Sequence, residues 1–147
     1  MKTLVRISGL LTGVILLSAL APGPSPAAHA DPAGVAIHVD TIDHMNLVLR
    51  QIDNQRQAMP QTPIQVVMIG AAVRALVEGA TDPGGGAYAA QLEQLIAEGV
   101  EIYACGNTMT TFELEPDELT FGVEVVSVGL AALTALQLEH GYAYLKL

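Results

Sequence analysis

The sequence predicts an α/β fold, a three-layer α/β/α sandwich with a mostly parallel sheet of about five strands. Short runs of β-branched and apolar residues alternate along the chain with segments whose apolar residues recur every three or four positions. The run at 64–69 is almost continuously apolar, which is typical of a strand that is covered on both faces. The pattern contains no internal repeat and indicates one domain.

The first half of this domain contains two predicted strands. Residues 35–39 form the first, and Asp40 and Thr41 are expected to cap the helix that follows and ends before Pro60. The apolar run at 64–69 is the second strand, and an Ala-rich stretch at 71–77 predicts a short helix. The triple glycine at 84–86 lacks the Lys and Ser/Thr of a phosphate-binding loop and precedes a helix, so we interpret it as a plain loop.

The second half repeats this alternation. Apolar residues at 88–96 predict a helix that Gly99 ends, and 100–105 predict the third strand, around which we expect the sheet to be built. Residues 108–112 are β-branched and polar and predict irregular structure. Pro116 opens a short acidic helix. The remaining elements are a strand at 123–126, a helix at 130–139 and a closing strand at 142–145.

Residues 1–30 have the layout of a secretory signal peptide. Lys2 and Arg6 precede an apolar run at 7–21, and the tripeptide Ala-His-Ala at 28–30 is an A-x-A cleavage site. A membrane anchor is the alternative, but the run is shorter than the ~20 residues that a span needs. We therefore expect a Sec-type signal that is cleaved after Ala30, no stable membrane anchor afterwards, and a periplasmic domain at 31–147.

The charge of the chain excludes some partners. Fifteen acidic and six basic residues give a formal net charge of −9. Such a chain does not bind nucleic acid or anionic lipid through bulk electrostatics, so neither is an expected partner. One group of candidate metal ligands follows the first strand: His38, Asp40, Asp43 and His44. Their spacing matches no known ligand pattern, so we prefer a solvated turn and expect neither a metal nor a cofactor.

Cys105 is the candidate catalytic residue. It is the only cysteine, so it cannot form an intramolecular disulfide. It ends the third predicted strand, and sites in open parallel sheets form outside the carboxyl ends of the strands. We expect Gly106, Asn107 and Thr108 to shape a pocket through backbone amides that favour the thiolate. The alternative is an inert packing residue, because free cysteine is among the most buried residue types.

The charge pattern around Cys105 opposes activation of the thiol. No Lys or Arg lies between Arg74 and Lys146, whereas four acids lie at 113–118. Because nearby carboxylates raise a thiol pKa, we expect these acids to oppose ionisation of Cys105. A local cation would have to come from a second subunit or from one of six residues: Arg50, Arg56, Arg74, His38, His44 and His140.

Three segments, at 99–109, 122–126 and 139–146, resemble the exported branch of the DsrE/DsrF-like family. The most specific parts are Ala-Cys-Gly-Asn-Thr at 104–108 and Gly-Tyr-Ala-Tyr at 141–144. The resemblance implies a compact α/β domain that forms homo-oligomers, often trimers or pairs of trimers. It also implies sulfur transfer as a cysteine persulfide, for which Cys105 occupies the matching position. Here Ile69 stands where relatives often have His, and Thr110 to Phe112 replace basic residues.

Two functions of different classes follow from these observations. In the first, an exported sulfur-handling protein accepts sulfane sulfur on Cys105 and passes it to a partner thiol, which makes it at most a persulfide carrier. In the second, the chain is a non-catalytic oligomeric binding or scaffold module in which Cys105 is structural. A third hypothesis places a small ligand in the same crevice at the strand ends.

Overall fold

In the computed structural model, residues 32–147 form a five-stranded parallel sheet. Its strands are Val35–Val39 (β1), Ile64–Met68 (β2), Glu101–Cys105 (β3), Glu124–Val126 (β4) and Ala143–Lys146 (β5). The structure describes residues 32–147, so the predicted signal peptide and its cleavage site lie outside the described residues. The predicted α/β class is confirmed.

Helices connect the strands and cover both faces of the sheet. Within 32–147 there are four α-helices, Met45–Ala58 (α1), Ala89–Ala97 (α2), Gly106–Thr111 (α3) and Gly129–Leu138 (α4), and two 3₁₀-helices, Gly70–Leu76 and Pro116–Glu118. None of the helices in this part of the chain has the length and apolarity needed to cross a bilayer.

The centre of the sheet is β2, because the strand order is β4-β3-β2-β1-β5. The apolar side chains of β2 are buried on both faces, as the continuous run at 64–69 predicts. The expectation that the sheet is built around β3 was wrong, because β3 lies next to the edge strand β4. All the strand pairs are parallel, so the carboxyl ends of β1 to β4 lie at the same end of the sheet. The connections that follow these strands therefore begin there.

The two faces of the sheet are covered unequally. On one face, α1 and α2 contribute side chains such as Leu49 and Leu92 to the larger core cluster. On the other face, Leu133 and Leu136 of α4 pack against β1 and β2. Burial of each such leucine contributes about 1.5–3 kcal/mol. Two leucines on the outer side of α4 remain exposed, Leu130 by 61% and Leu138 by 81%.

The start of α1 differs from the prediction. His44 occupies the N-cap position in a left-handed conformation, with φ 57°, and makes no side-chain cap hydrogen bond. The Thr41 hydroxyl instead accepts a hydrogen bond at 3.1 Å from the amide of Asp43, inside the turn before the helix. The predicted cap at Asp40 and Thr41 was therefore wrong, because the turn occupies the residues up to His44.

The segment at 108–112 is helical where irregular structure was expected. The hydroxyls of Thr110 and Thr111 donate to the carbonyls of Gly106 and Asn107, one turn earlier, at 3.0 and 2.9 Å. These bonds to i−4 carbonyls let β-branched threonines fit in the short helix α3. The consequence for the site is that the chain coils into a helix immediately after Cys105.

Candidate functional site

A cavity of about 320 Å³ opens beside Cys105 at the carboxyl ends of the strands. Three connections build it. The connection after β2 contributes Ile69 and Gly70, helix α3 contributes Asn107 and Thr108, and the start of α4 contributes Gly129. No motif in the sequence indicates that these connections are neighbours, and the strand order brings the ends of β2, β3 and β4 together.

Cys105 lines this cavity and is almost completely buried. The residue ends β3 and directly precedes α3, and it is only 4% exposed. Its Sγ accepts a hydrogen bond from the backbone amide of Gly129, at an N···S distance of 3.3 Å. That amide belongs to the first turn of α4, where backbone N–H groups have no partner within the helix. The sulfur therefore occupies the amino end of α4.

The balance of burial and hydrogen bonding lowers the pKa of the Cys105 thiol. Burial raises the pKa, but hydrogen bonds from the Gly129 amide, from the Thr108 amide and hydroxyl, and from the Asn107 amide outweigh it. The Asn107 amide also donates to the carbonyl of Ser127 at 3.2 Å, so we assign the main effect to Gly129 and Thr108. A thiol in this setting is more ionised near neutral pH than an ordinary cysteine.

Thr108 links the sulfur to the connection after β2. Its hydroxyl oxygen accepts a hydrogen bond from the amide of Gly70 at 3.1 Å. Because that oxygen acts as the acceptor, the hydroxyl proton remains available to the sulfur. Thr108 is itself buried, so water has little access to its hydroxyl.

Two glycines allow the close approach of backbone around the sulfur. A Cβ atom on Gly129 would lie 2.8 Å from Cγ1 of Ile69 and 3.1 Å from Cβ of Cys105. A Cβ atom on Gly106 would lie 3.2 Å from the backbone carbonyls of Val126 and Ser127. Of the three residues expected to shape the pocket, Asn107 and Thr108 line the Cys105 cavity. Gly106 instead packs α3 against the end of β4 and lines a neighbouring cavity.

The acids that follow Cys105 in sequence do not line its cavity. Glu113 and Glu115 line the neighbouring cavity on the other side of α3. The expectation that these acids oppose ionisation of Cys105 was wrong, since burial and hydrogen bonds set the thiol pKa and the pKa is lowered. Helix α3 carries the chain away from the sulfur before the acidic segment begins.

No histidine of residues 32–147 lines the Cys105 cavity. His38 is buried on β1, where its Nδ1 lies 2.9 Å from the hydroxyl of Tyr144. His44 lines a cavity beside α1, and His140 lines one beside α4. The described residues therefore offer Cys105 no neighbouring general base, and stabilisation of the thiolate rests on hydrogen-bond donors.

The cavity beside α1 is larger, at about 690 Å³, but contains no nucleophile. Asp82 lines it and closes the triple-glycine loop, because its Oδ1 accepts the amides of Gly84 and Gly86 at 2.7 and 2.9 Å. Its Oδ2 accepts a hydrogen bond from the side chain of Asn46. The carboxylate thus fills the loop from inside. Among residues 32–147, no three His, Cys, Asp or Glu side chains are grouped as a metal ion requires.

Of the cations that the sequence offered to Cys105, Arg74 is the one that contacts a residue lining its cavity. The guanidinium carbon of Arg74 lies 4.2 Å from the centroid of the Phe112 ring, and Phe112 lines the cavity. The two residues are 38 positions apart in the chain, so no local motif indicates this contact.

A family model and solved structures of other proteins match the α/β domain described above. The model of the DsrE/DsrF-like family matches residues 36–147. A solved structure of a protein of unknown function, MTH1491 from Methanobacterium thermoautotrophicum, is 31% identical with a TM-score of 0.65, and the match covers 77% of this chain and 97% of that one. No protein with curated annotation gives a significant match.

Two more distant structures share the fold alone. The ychN protein from E. coli is 19% identical with a TM-score of 0.64, over 78% of this chain and 99% of that one. The conserved protein of unknown function BT1422 from Bacteroides thetaiotaomicron is 18% identical with a TM-score of 0.56, over 76% and 93%.

Proposed function

The chain belongs to the DsrE/DsrF-like family, and on this basis we propose that it carries sulfane sulfur as a persulfide on Cys105. The observation that carries the proposal is the hydrogen bond of 3.3 Å from the Gly129 amide to Sγ, where both residues line an open cavity. It supports a thiolate at neutral pH, which is the reactive form in sulfur exchange.

The proposed chemistry has two balanced exchange steps. In the first, the Cys105 thiolate attacks the outer sulfur of a donor persulfide R–S–SH; a new S–S bond forms, the donor S–S bond breaks, and R–S⁻ leaves. In the second, an acceptor thiolate attacks the outer sulfur of Cys105–S–SH, takes it with its proton, and releases the Cys105 thiolate. No net oxidation occurs in either step.

The surroundings of the sulfur suit this cargo. A cavity of about 320 Å³ has room for an added sulfur atom and the end of a slim donor. Because only 4% of Cys105 is exposed, a bulky group cannot reach Sγ directly. The same donors that stabilise the thiolate would stabilise the persulfide anion.

We extend the proposal to assembly and location. The outer side of α4 exposes Leu130 and Leu138 and carries no charged side chain, which favours contact with a second copy in a homo-oligomer, either a trimer or a hexamer. We further propose that residues 1–30 direct export to the periplasm and are removed. Size-exclusion chromatography with light scattering, together with the N-terminal sequence of secreted material, tests both statements.

The test of the sulfur-carrier proposal uses the folded domain at 31–147. Alkylation of Cys105 by iodoacetamide is followed by intact mass across pH, and a second sample is incubated with polysulfide. We expect alkylation with a midpoint below the ordinary thiol pKa of about 8.5, and a mass gain of one sulfur atom that dithiothreitol reverses. Alkylation only after denaturation, with no added sulfur, would overturn the proposal.

The alternative, a structural cysteine in a binding or scaffold module, is favoured by the low exposure of Cys105. It predicts that Cys105→Ala leaves the oligomeric state and the cellular phenotype unchanged. The sulfur carrier predicts the same assembly but loss of sulfur transfer. Comparison of Cys105→Ala with the unmodified chain in both assays therefore separates the two functions.

A further inference from the structure

We propose that Arg74 recognises an anionic group on the sulfur compound that enters the Cys105 cavity. This inference rests on the proposed sulfur-carrier function and specifies its substrate class. The substrate would be a small sulfur compound with a carboxylate, sulfonate or similar anionic group a few ångströms from the transferable sulfur. Arg74 would act as a positioning residue and Cys105 as the residue that reacts.

The position of Arg74 comes from its contact with the cavity wall. Its guanidinium lies 4.2 Å from the centroid of the Phe112 ring, within the range of a cation–π interaction. Phe112 follows α3 and lines the same cavity as Cys105. The contact places the charged group beside a residue that lines the cavity and restricts a side chain that would otherwise be mobile.

Arg74 remains available for a ligand. Within residues 32–147, Arg56 is paired with Asp53 and Glu98, and Lys146 is paired with Asp40, whereas Arg74 forms no ion pair and no hydrogen bond. A cation–π contact does not use the hydrogen-bonding capacity of the guanidinium N–H groups. These groups form a planar fork that matches a carboxylate or a sulfur oxyanion.

The negative charge of the molecule makes a local cation important for binding an anionic sulfur compound. Apart from Cys105, the residues of 32–147 that line the cavity carry no ionisable side chain. The whole chain has a formal net charge of −9, which repels an approaching anion. An anionic donor therefore needs a local positive group at the entrance, and Arg74 is the cation in contact with the wall of the cavity.

The experiment compares two alkylating reagents of similar size. Iodoacetate is anionic and iodoacetamide is neutral, and both attack the same sulfur. The ratio of their rate constants on Cys105, measured by intact mass under identical conditions, reports the local charge and cancels changes in thiolate fraction. The variants are Arg74→Gln and Arg74→Lys, and Arg50→Gln is the matched control because it removes one exposed positive charge beside the other cavity.

We expect Arg74→Gln to lower the iodoacetate-to-iodoacetamide ratio about three- to tenfold, the size expected for one charge within ~10 Å of the reacting atom. Arg74→Lys should keep part of the ratio, and Arg50→Gln should change it less than twofold. Measurement at high salt should reduce the effect of Arg74→Gln.

An unchanged ratio in Arg74→Gln, or an equal fall in Arg50→Gln, would overturn the role of Arg74 while leaving the sulfur-carrier function intact. Failure of both reagents to modify folded wild-type protein would instead overturn the sulfur-carrier function on which this inference depends. Phe112→Leu is a second test of the role of Arg74, because it removes the aromatic ring that Arg74 contacts and keeps the charge. If the stacking positions Arg74, this variant should also lower the ratio.

Discussion

Replacement of Thr108 by valine tests the origin of the thiol acidity. Valine has nearly the same shape as threonine but has no hydroxyl. The change removes the hydroxyl that lowers the pKa of Cys105 and that accepts the Gly70 amide at 3.1 Å. Two effects should follow, one on the pKa of the thiol and one on the free energy of unfolding.

The magnitudes follow from the two contacts. A hydrogen bond to a charged group contributes about 1.5–3 kcal/mol, and 1.36 kcal/mol corresponds to one pKa unit. Because the Gly129 and Thr108 amides remain and can tighten, we take the lower end and expect the Cys105 pKa to rise by about one unit. Gly70 is half-buried, so loss of its acceptor should cost about 1 kcal/mol of the free energy of unfolding.

The assay measures the iodoacetamide alkylation rate of Cys105 as a function of pH, with urea unfolding in parallel. Thr111→Val is the matched control, since Thr111 lines the same cavity but its hydroxyl donates to the carbonyl of Asn107 within α3. Thr108→Ser restores the hydroxyl and should keep the wild-type midpoint. If Thr108→Val folds and its alkylation midpoint equals that of Thr111→Val, the assignment of the thiol acidity to the Thr108 hydroxyl is refuted.

Two further predictions concern the buried histidine and the glycine beside the sulfur. Burial lowers the pKa of His38, so below pH ~6.5 the unfolded chain binds a proton that the folded protein resists, and the free energy of unfolding should fall by up to about 1.4 kcal/mol per pH unit. Urea unfolding at pH 7.5 and 5.0 should show a larger loss for wild type than for His38→Gln; equal losses would contradict this assignment. Gly129→Ala places a methyl group 2.8 Å from Cγ1 of Ile69 and should cost about 1–3 kcal/mol. The double variant with Ile69→Ala should be more stable than the sum of the two single changes predicts; additivity would show that this clash is not the cause.

The fold could be predicted from the sequence because its strands are short apolar runs with clear boundaries. Even the edge strand β4 begins and ends within one residue of the predicted run. The order of the strands could not be predicted in the same way. Val125 and Val126 in the edge strand are as β-branched as Val66 and Val67 in the central one. Side-chain type indicates a strand, whereas position in the sheet depends on how each crossover packs.

The candidate site was predicted only in part. Cys105 and Thr108 are adjacent to a strand end, which the sequence indicates directly. The Gly129 amide could not be found in this way, because it is 24 residues away from Cys105 and a backbone N–H has no side-chain signature. The acids at 113–118 are the opposite case: they are close to Cys105 in sequence, but α3 separates them from the sulfur, and Glu113 and Glu115 line another cavity.

The groups that lower the pKa of Cys105 come from two segments, α3 and the start of α4. This affects when the thiol becomes reactive. A chain that is still being synthesised contains Cys105 before the segment that supplies the Gly129 amide has emerged and packed. Until then the thiol has the ordinary acidity of an unfolded cysteine. If Cys105 carries sulfur as proposed, such a nascent or misfolded chain would compete poorly for it, and loading would be confined to molecules in which α4 has packed beside β3.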